Sequence, residues 1–145
     1  MIDIKIKYLN KNITKPRYAT DGSLGMDLSA SLTYPVVVKA GERVVVPVGF
    51  SMQIPKGYGG FVFPRSGLAL RKGITMCNSV GVIDTDYTGE IKLAMINISD
   101  KDYTINPLDR VAQLVFMPVE FGNLIEVESL TETERGDGGF GSTGI

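Results

Sequence analysis

The chain has 145 residues, 43% of them hydrophobic and 21% charged, with a net charge of −1. No apolar run is long enough to cross a membrane, and there is no basic excess of the kind a DNA or RNA partner requires, so the expected ligand is small. There is no histidine and only one cysteine, Cys77, which excludes Ser-His-Asp and Cys-His dyads, an imidazole base, His-containing or all-cysteine zinc sites, and an internal disulfide.

Any base is then a carboxylate, and any metal is a hard ion on oxygen ligands, with magnesium riding on substrate phosphates the natural candidate. At the N-terminus Ile2, Ile4 and Ile6 alternate with Asp3, Lys5 and Lys7, the period of a strand. The same stretch lacks the basic start, apolar region and small-residue cleavage site of a signal peptide, so a cytoplasmic or otherwise intracellular protein is expected. Next, Val36-Val37-Val38 and Val44-Val45-Val46 flank the turn Lys39-Ala40-Gly41-Glu42. Pro55-Lys56-Gly57-Tyr58-Gly59-Gly60 is turn chemistry, and only Ser66 to Lys72 has the Leu/Ala/Arg composition of a short helix. At its start, Pro64-Arg65-Ser66-Gly67 sets a fork donor, a hydroxyl and a bare backbone N–H where an anion would bind, or else Ser66 simply caps the helix.

The segment Gly81-Val82-Ile83-Asp84-Thr85-Asp86-Tyr87-Thr88-Gly89-Glu90 predicts a β-hairpin bracketed by glycines. Two carboxylates two apart on a strand share a face and repel, so either the turn splits Asp84 from Asp86 or one is tuned to serve as base for a water; an ordinary Asp-rich turn is the alternative. Ile91, Leu93, Ile96 and Ile98 mark a further strand, and Asn106-Pro107-Leu108-Asp109 a further turn. In the apolar strand Arg110-Val111-Ala112-Gln113-Leu114-Val115-Phe116, Gln113 needs a partner, either internal or a ligand. Seventeen glycines and seven prolines punctuate these short runs. The whole predicts an all-β fold, a jelly-roll-like β-sandwich or barrel with at most one short helix, spanning residues 1–134.

Residues 135–145 are a flexible Gly-rich tail in this scheme, because ordering so many glycines costs more backbone entropy than their few side chains return. The glycine spacing lacks the preceding strand and following helix of a dinucleotide fingerprint. What the tail does carry is Arg135, a fork of donors, and Phe140, a flat face, so that either a phosphate-bearing ligand with an aromatic base orders it or it is a frayed terminus without a role.

Five segments in order across nearly the whole chain resemble the trimeric dUTP pyrophosphatase (dUTPase) family: Gly25-Met26-Asp27-Leu28-Ser29-Ala30, Pro64-Arg65-Ser66-Gly67-Leu68-Ala69, Gly81 to Glu90, Arg110 to Phe116, and Arg135 to Gly144. The resemblance implies a jelly-roll subunit in a homotrimer, with sites shared between subunits and the tail of one closing a site made by the other two. It implies hydrolysis of dUTP to dUMP and diphosphate with Mg2+, limiting uracil in DNA and supplying dUMP for thymidylate synthesis. By the same resemblance Asp84 activates the attacking water, and Asn78 with Gly81, Val82 and Ile83 reads the uracil edge and excludes a 5-methyl group. Tyr87 packs under the deoxyribose, and Lys92 contributes its backbone. Arg65, Ser66, Gly67 and Gln113 hold the phosphates, and Asp27 contacts the metal through water. Arg135, Gly141, Ser142 and Thr143 grip the γ-phosphate region while Phe140 stacks on uracil. Asp86 is left structural. The related dCTP deaminases have Arg-Ser-Ser where this chain has Arg65-Ser66-Gly67, and a dUTP-regulated binding protein is the alternative from another class.

Overall fold

The computed structural model describes residues 2–11 and 13–141, and within them the chain forms eleven strands and one helix. In chain order these are β1 (Lys5–Tyr8), β2 (Met26–Ser29), β3 (Val36–Val38), β4 (Arg43–Pro47), β5 (Phe50–Gln53), β6 (Tyr58–Pro64), α1 (Ser66–Lys72), β7 (Ile74–Met76), β8 (Gly81–Ile83), β9 (Lys92–Asn97), β10 (Tyr103–Ile105) and β11 (Arg110–Pro118). Every pairing is antiparallel. The strands lie in four sheets: β2-β11-β6-β8, β4-β9-β7, β1-β5 and β10-β3. They form no closed barrel, and the architecture is the jelly-roll-like β fold expected from the sequence.

Alternation decides which residues make the core. Along β9, Leu93, Met95 and Asn97 turn inward and are buried, while Lys92 is exposed. Ile98, just beyond the strand, is 66% exposed, so the run Ile91–Ile98 does not place all its isoleucines on one face. Leu28, Val38, Val46, Phe50, Ile74, Leu93, Met95, Ile105 and Leu114 come from all four sheets and meet in one buried cluster. Each such side chain contributes about 1.5–3 kcal/mol by leaving water. Asn97 is tolerated there because its polar atoms are bonded: Nδ2 donates to the carbonyls of Val38 at 2.9 Å and Lys101 at 2.7 Å, and Oδ1 accepts from the N–H and hydroxyl of Ser99.

The turn after β3 closes with Glu42 N–H on Lys39 O at 2.9 Å and Lys39 N–H on the Glu42 carboxylate at 2.8 Å, with Gly41 at φ +75°. It passes the chain from the β10-β3 pair into β4, a strand of another sheet. α1 occupies the residues predicted for it. It ends in Gly73 at φ +67°, whose N–H reaches Ala69 O at 3.0 Å. A Cβ there would come within 2.6 Å of Ser99, so only glycine suits both the turn and the packing.

One expectation fails. β8 and β9 are not a hairpin, because β8 pairs with β6 and β9 pairs with β4 and β7. The connection Asp84–Ile91 is longer than a tight hairpin turn, and its far end is captured by another partner: Val48 N–H bonds Ile91 O and Ile91 N–H bonds Phe50 O, both at 3.1 Å. Asp84–Ile91 is therefore a crossover between sheets.

Strands stop at Pro118. Val119 N–H still bonds Gly57 O at 3.0 Å, but residues 120–141 form no strand or helix and expose Phe121, Leu124, Ile125 and Leu130.

Candidate functional site

Two groups of polar side chains stand out, and different strands position them. The first lines a cleft of about 240 Å3 walled by Val62, Met76, Ile91 and Leu93 and faced by Asn78, Gly81, Val82, Ile83, Asp84, Tyr87 and Lys92. These seven are the residues expected to hold the ring and sugar, together with the expected base. They converge because β8 is the edge strand of its sheet, with β6 on one side only. Its other edge leaves backbone N–H and C=O groups without strand partners. The turn before β8 is tight: Ser79 sits at φ +60°, and Val80 N–H bonds Asn78 O at 2.6 Å.

Asp84 follows the last residue of β8, is exposed, and among the described residues makes no side-chain hydrogen bond or ion pair. The chain then turns, and Asp86 lines a separate cleft with Asp3, Lys5, Gln53 and Lys56. The repulsion expected from their spacing is thus relieved by the turn, which sends the two carboxylates into different clefts. Tyr87 N–H bonds Asp84 O at 3.2 Å, and the Tyr87 hydroxyl donates to Glu90 O at 2.8 Å, which fixes the ring beside the cleft. Gly89 allows this: a Cβ on it would come within 2.8 Å of the Tyr87 ring.

The second group lies where β2, β11 and the end of β6 run side by side. Asp27 on β2 stands opposite Gln113 on β11, which stands opposite Phe63 on β6. Arg65 Nε contacts Asp27 Oδ1 at 3.1 Å and Arg110 Nη1 contacts Oδ2 at 3.0 Å, while Arg65 Nη1 donates to Arg110 O at 3.0 Å. One carboxylate between two guanidiniums leaves the group net positive. Arg110, unassigned from sequence, completes it; its signal was only that it opens the strand carrying Gln113. Gln113 Nε2 donates to Pro64 O at 3.1 Å, so the internal partner expected for it exists. Its Oε1 packs so near Gly25 that a Cβ there would approach to 2.7 Å.

Ser66 does not cap the helix. Arg65 is the N-cap and makes no side-chain cap bond, and Ser66 is the first helical residue. The reason is chain direction: the residue at the cap position is arginine, and its side chain is drawn to Asp27. Leu68 and Ala69 N–H groups return to Arg65 O, which leaves the first-turn N–H groups of Ser66 and Gly67 facing outward. A Cβ on Gly67 would meet nothing within 4 Å, so nothing in the chain itself demands glycine there.

No residue lines both the cleft and the Asp27 group's own hollow, which Thr14, Lys15, Arg17 and Tyr18 share with Asp27 and Arg110. In the tail, Arg135 Nε bonds Gly138 O at 2.8 Å within its own turn, Phe140 is fully exposed at φ +50°, and Gly141 sits at φ +87°. Ser142 and Thr143 lie outside the described residues. Among the described residues no three His, Cys, Asp or Glu side chains gather as a metal site would need. Asp27 has both carboxylate oxygens on arginines, which favours a contact to any ligand-borne cation through water over direct coordination. No helix among them is long and apolar enough to cross a membrane.

The family model for dUTPase matches residues 11–144. The deoxyuridine 5'-triphosphate nucleotidohydrolase of Syntrophotalea carbinolica is 49% identical over 144 residues, covering 99% of this chain and 98% of that protein. That of Finegoldia magna is 46% identical over 142 residues, covering 97% and 99%. Among solved structures, a Staphylococcus bacteriophage 80alpha dUTPase with dUPNHPP matches with a TM-score of 0.91 at 26% identity, over the full length of both chains.

Proposed function

We propose that this chain, which belongs to the dUTPase family and hydrolyses dUTP to dUMP and diphosphate, uses Asp84 to activate the water that attacks the α-phosphorus. The observation that carries this is the convergence of Asn78, Gly81, Val82, Ile83, Tyr87 and Lys92 with Asp84 on one cleft. A carboxylate with no side-chain partner among the described residues is open to take a proton from water, and it lines an apolar-walled slot fit for a ring. The unpaired edge of β8 and the Asn78 amide offer donors and acceptors to a uracil edge, and the wall at Val82 and Ile83 leaves no room for a 5-methyl group. The Tyr87 ring, held by its hydroxyl, packs beneath the deoxyribose and excludes a 2'-hydroxyl.

The triphosphate is held by Arg65, Gln113 and the outward N–H groups of Ser66 and Gly67. Gly67 then has its reason in the ligand, whose phosphate comes close to the backbone. Asp27 would hold a magnesium ion through a water, and the ion, when bound with the phosphates, would supply neutralisation of their charge. The cleft and the hollow beside Asp27 share no lining residue within one chain, which supports a site assembled between copies in a homotrimer. Arg135, Phe140, Gly141, Ser142 and Thr143 of a third chain close it as a tail, residues 135–145, carried on a 1–134 β domain. The reaction keeps uracil out of DNA and supplies dUMP for thymidylate synthesis in a cytoplasmic or otherwise intracellular setting.

The test is diphosphate release from dUTP, UTP, dTTP and dCTP, with magnesium and with chelator, by wild type and Asp84→Asn. Cleavage of dUTP alone, dependent on magnesium and lost in the variant, is the expected result. Full activity of Asp84→Asn would remove Asp84 from the role of base.

A further inference from the structure

The crossover from β8 to β9 carries Asp84 and Tyr87 without any strand or helix to hold them. A segment that presents a base and a sugar platform to within a fraction of an ångström needs its own bracing. Its bonds trace to a residue that the site itself does not use. Glu90 accepts the Tyr87 hydroxyl on its backbone carbonyl at 2.8 Å, and its half-buried carboxylate accepts the Gly49 N–H on Oε1 at 3.2 Å.

Gly49 is a firm anchor. It sits between β4 and β5 at φ +78°, its carbonyl accepts Leu9 N–H at 2.9 Å, and a Cβ on it would strike Ile13 and Ser31 at 2.5 and 2.6 Å. On either side of it, Val48 and Phe50 grip Ile91, the residue after Glu90. The crossover is therefore tied to the core scaffold at one end through Glu90, and Tyr87 is tied to Glu90.

We infer that Glu90 is a positioning residue: by clamping the crossover onto Gly49 it holds the Tyr87 ring, and through the Tyr87 N–H bond to Asp84 O the base, in the geometry that admits a deoxyribose and rejects a ribose. The inference rests on the proposed role of Tyr87. Glu90 touches no substrate. It acts as a hydrogen-bond acceptor, so an uncharged acceptor of the same length serves in its place, whereas an apolar side chain of that length does not.

The experiment compares Glu90→Gln, Glu90→Met and Tyr87→Ala with wild type. It reads the ratio of kcat/KM for dUTP over UTP and the hydrogen exchange of residues 84–90. Glu90→Gln keeps both at wild-type values. In Glu90→Met the exchange of the crossover accelerates and the ratio falls by roughly three- to tenfold, as expected for loss of one hydrogen bond that orients a contact. Tyr87→Ala lowers the ratio further; an unchanged ratio there would remove the sugar role from Tyr87, and hydrogen exchange in Glu90→Met would still judge the clamp. Unchanged exchange in folded Glu90→Met overturns the clamp. Faster exchange with an unchanged ratio, in a protein whose Tyr87→Ala form has lost selectivity, overturns the positioning role. Equal damage in Glu90→Gln overturns the acceptor account. Should Glu90→Met not fold, Glu90→Ala takes its place, and unfolding of both makes Glu90 a residue of the fold and overturns the proposal.

Discussion

The cleft beside β8 and the Asp27 group beside β2 are built on opposite principles. In the cleft the side chains expected to meet a ligand are left open: among the described residues Asp84 has no side-chain partner, and the outer edge of β8 has no neighbouring strand. In the Asp27 group the equivalent side chains are already engaged with one another, Arg65 and Arg110 on the two oxygens of Asp27 and Gln113 on Pro64 O. An open site offers its groups to ligand at little cost to the fold. An engaged site stabilises the chain until a ligand with better complementarity recruits its arginines. Substitutions in the cleft are therefore expected to change activity alone, and those in the Asp27 group to change activity and stability together.

Asp84→Asn is the sharpest case and carries the largest effect. Losing the base slows turnover by about 10²–10⁴-fold while unfolding stability shifts by no more than about 0.5 kcal/mol, measured by steady-state assay and denaturant titration. A large loss of stability would break the contrast. Truncation of residues 135–145 comes next: in the described part of the tail Arg135 bonds only its own turn and Phe140 is fully exposed, so the body keeps its melting temperature. Turnover nevertheless falls on the order of a hundredfold, as phosphate and ring contacts disappear.

Arg65→Ala probes the other side. It lowers kcat/KM by roughly tenfold or more through lost phosphate contacts, and costs about 1 kcal/mol of stability because Asp27 keeps only Arg110. Stability equal to wild type would show that the arginine pair is idle in the free protein. The smallest effect belongs to the turn that leads into Arg110. Leu108 stands at φ +67°, a region that a leucine enters only at a cost. Asn tolerates that conformation, so Leu108→Asn gains about 0.5–1 kcal/mol in a thermal melt and leaves turnover unchanged.

Much of the fold was legible from local pattern. The valine runs, the turn at Lys39–Glu42 and the helix at Ser66–Lys72 fall where composition and turn chemistry put them. What local pattern does not carry is the choice of partner strand. Nothing in the alternation of Gly81–Ile83 says that its neighbour is β6 rather than β9, and that choice turns a hairpin into a crossover. The inward face of β9 was blurred for a related reason, since the buried polar residue Asn97 interrupts the apolar signal while Ile98 points out. For the site, four of the five short motifs pointed to residues of the cleft and of the Asp27 group, which the structure brings together as two sets, while the described part of the tail motif joins neither. The Arg65–Asp27–Arg110 contacts and the Glu90–Gly49 link join residues far apart in the chain, and no spacing rule reaches them.

The division of the site between chains is open to one direct measurement. Asp84→Asn and Arg65→Ala are each purified, mixed in equal parts, dissociated and reassembled, and the dUTP turnover of the mixture is compared with the sum of the two parents. If one chain supplies the cleft and its neighbour the phosphate group, random reassembly restores both intact halves at about one quarter of the sites, and turnover rises well above the parents. Turnover no higher than their sum, in a mixture shown to contain mixed oligomers, would contradict a site shared between subunits.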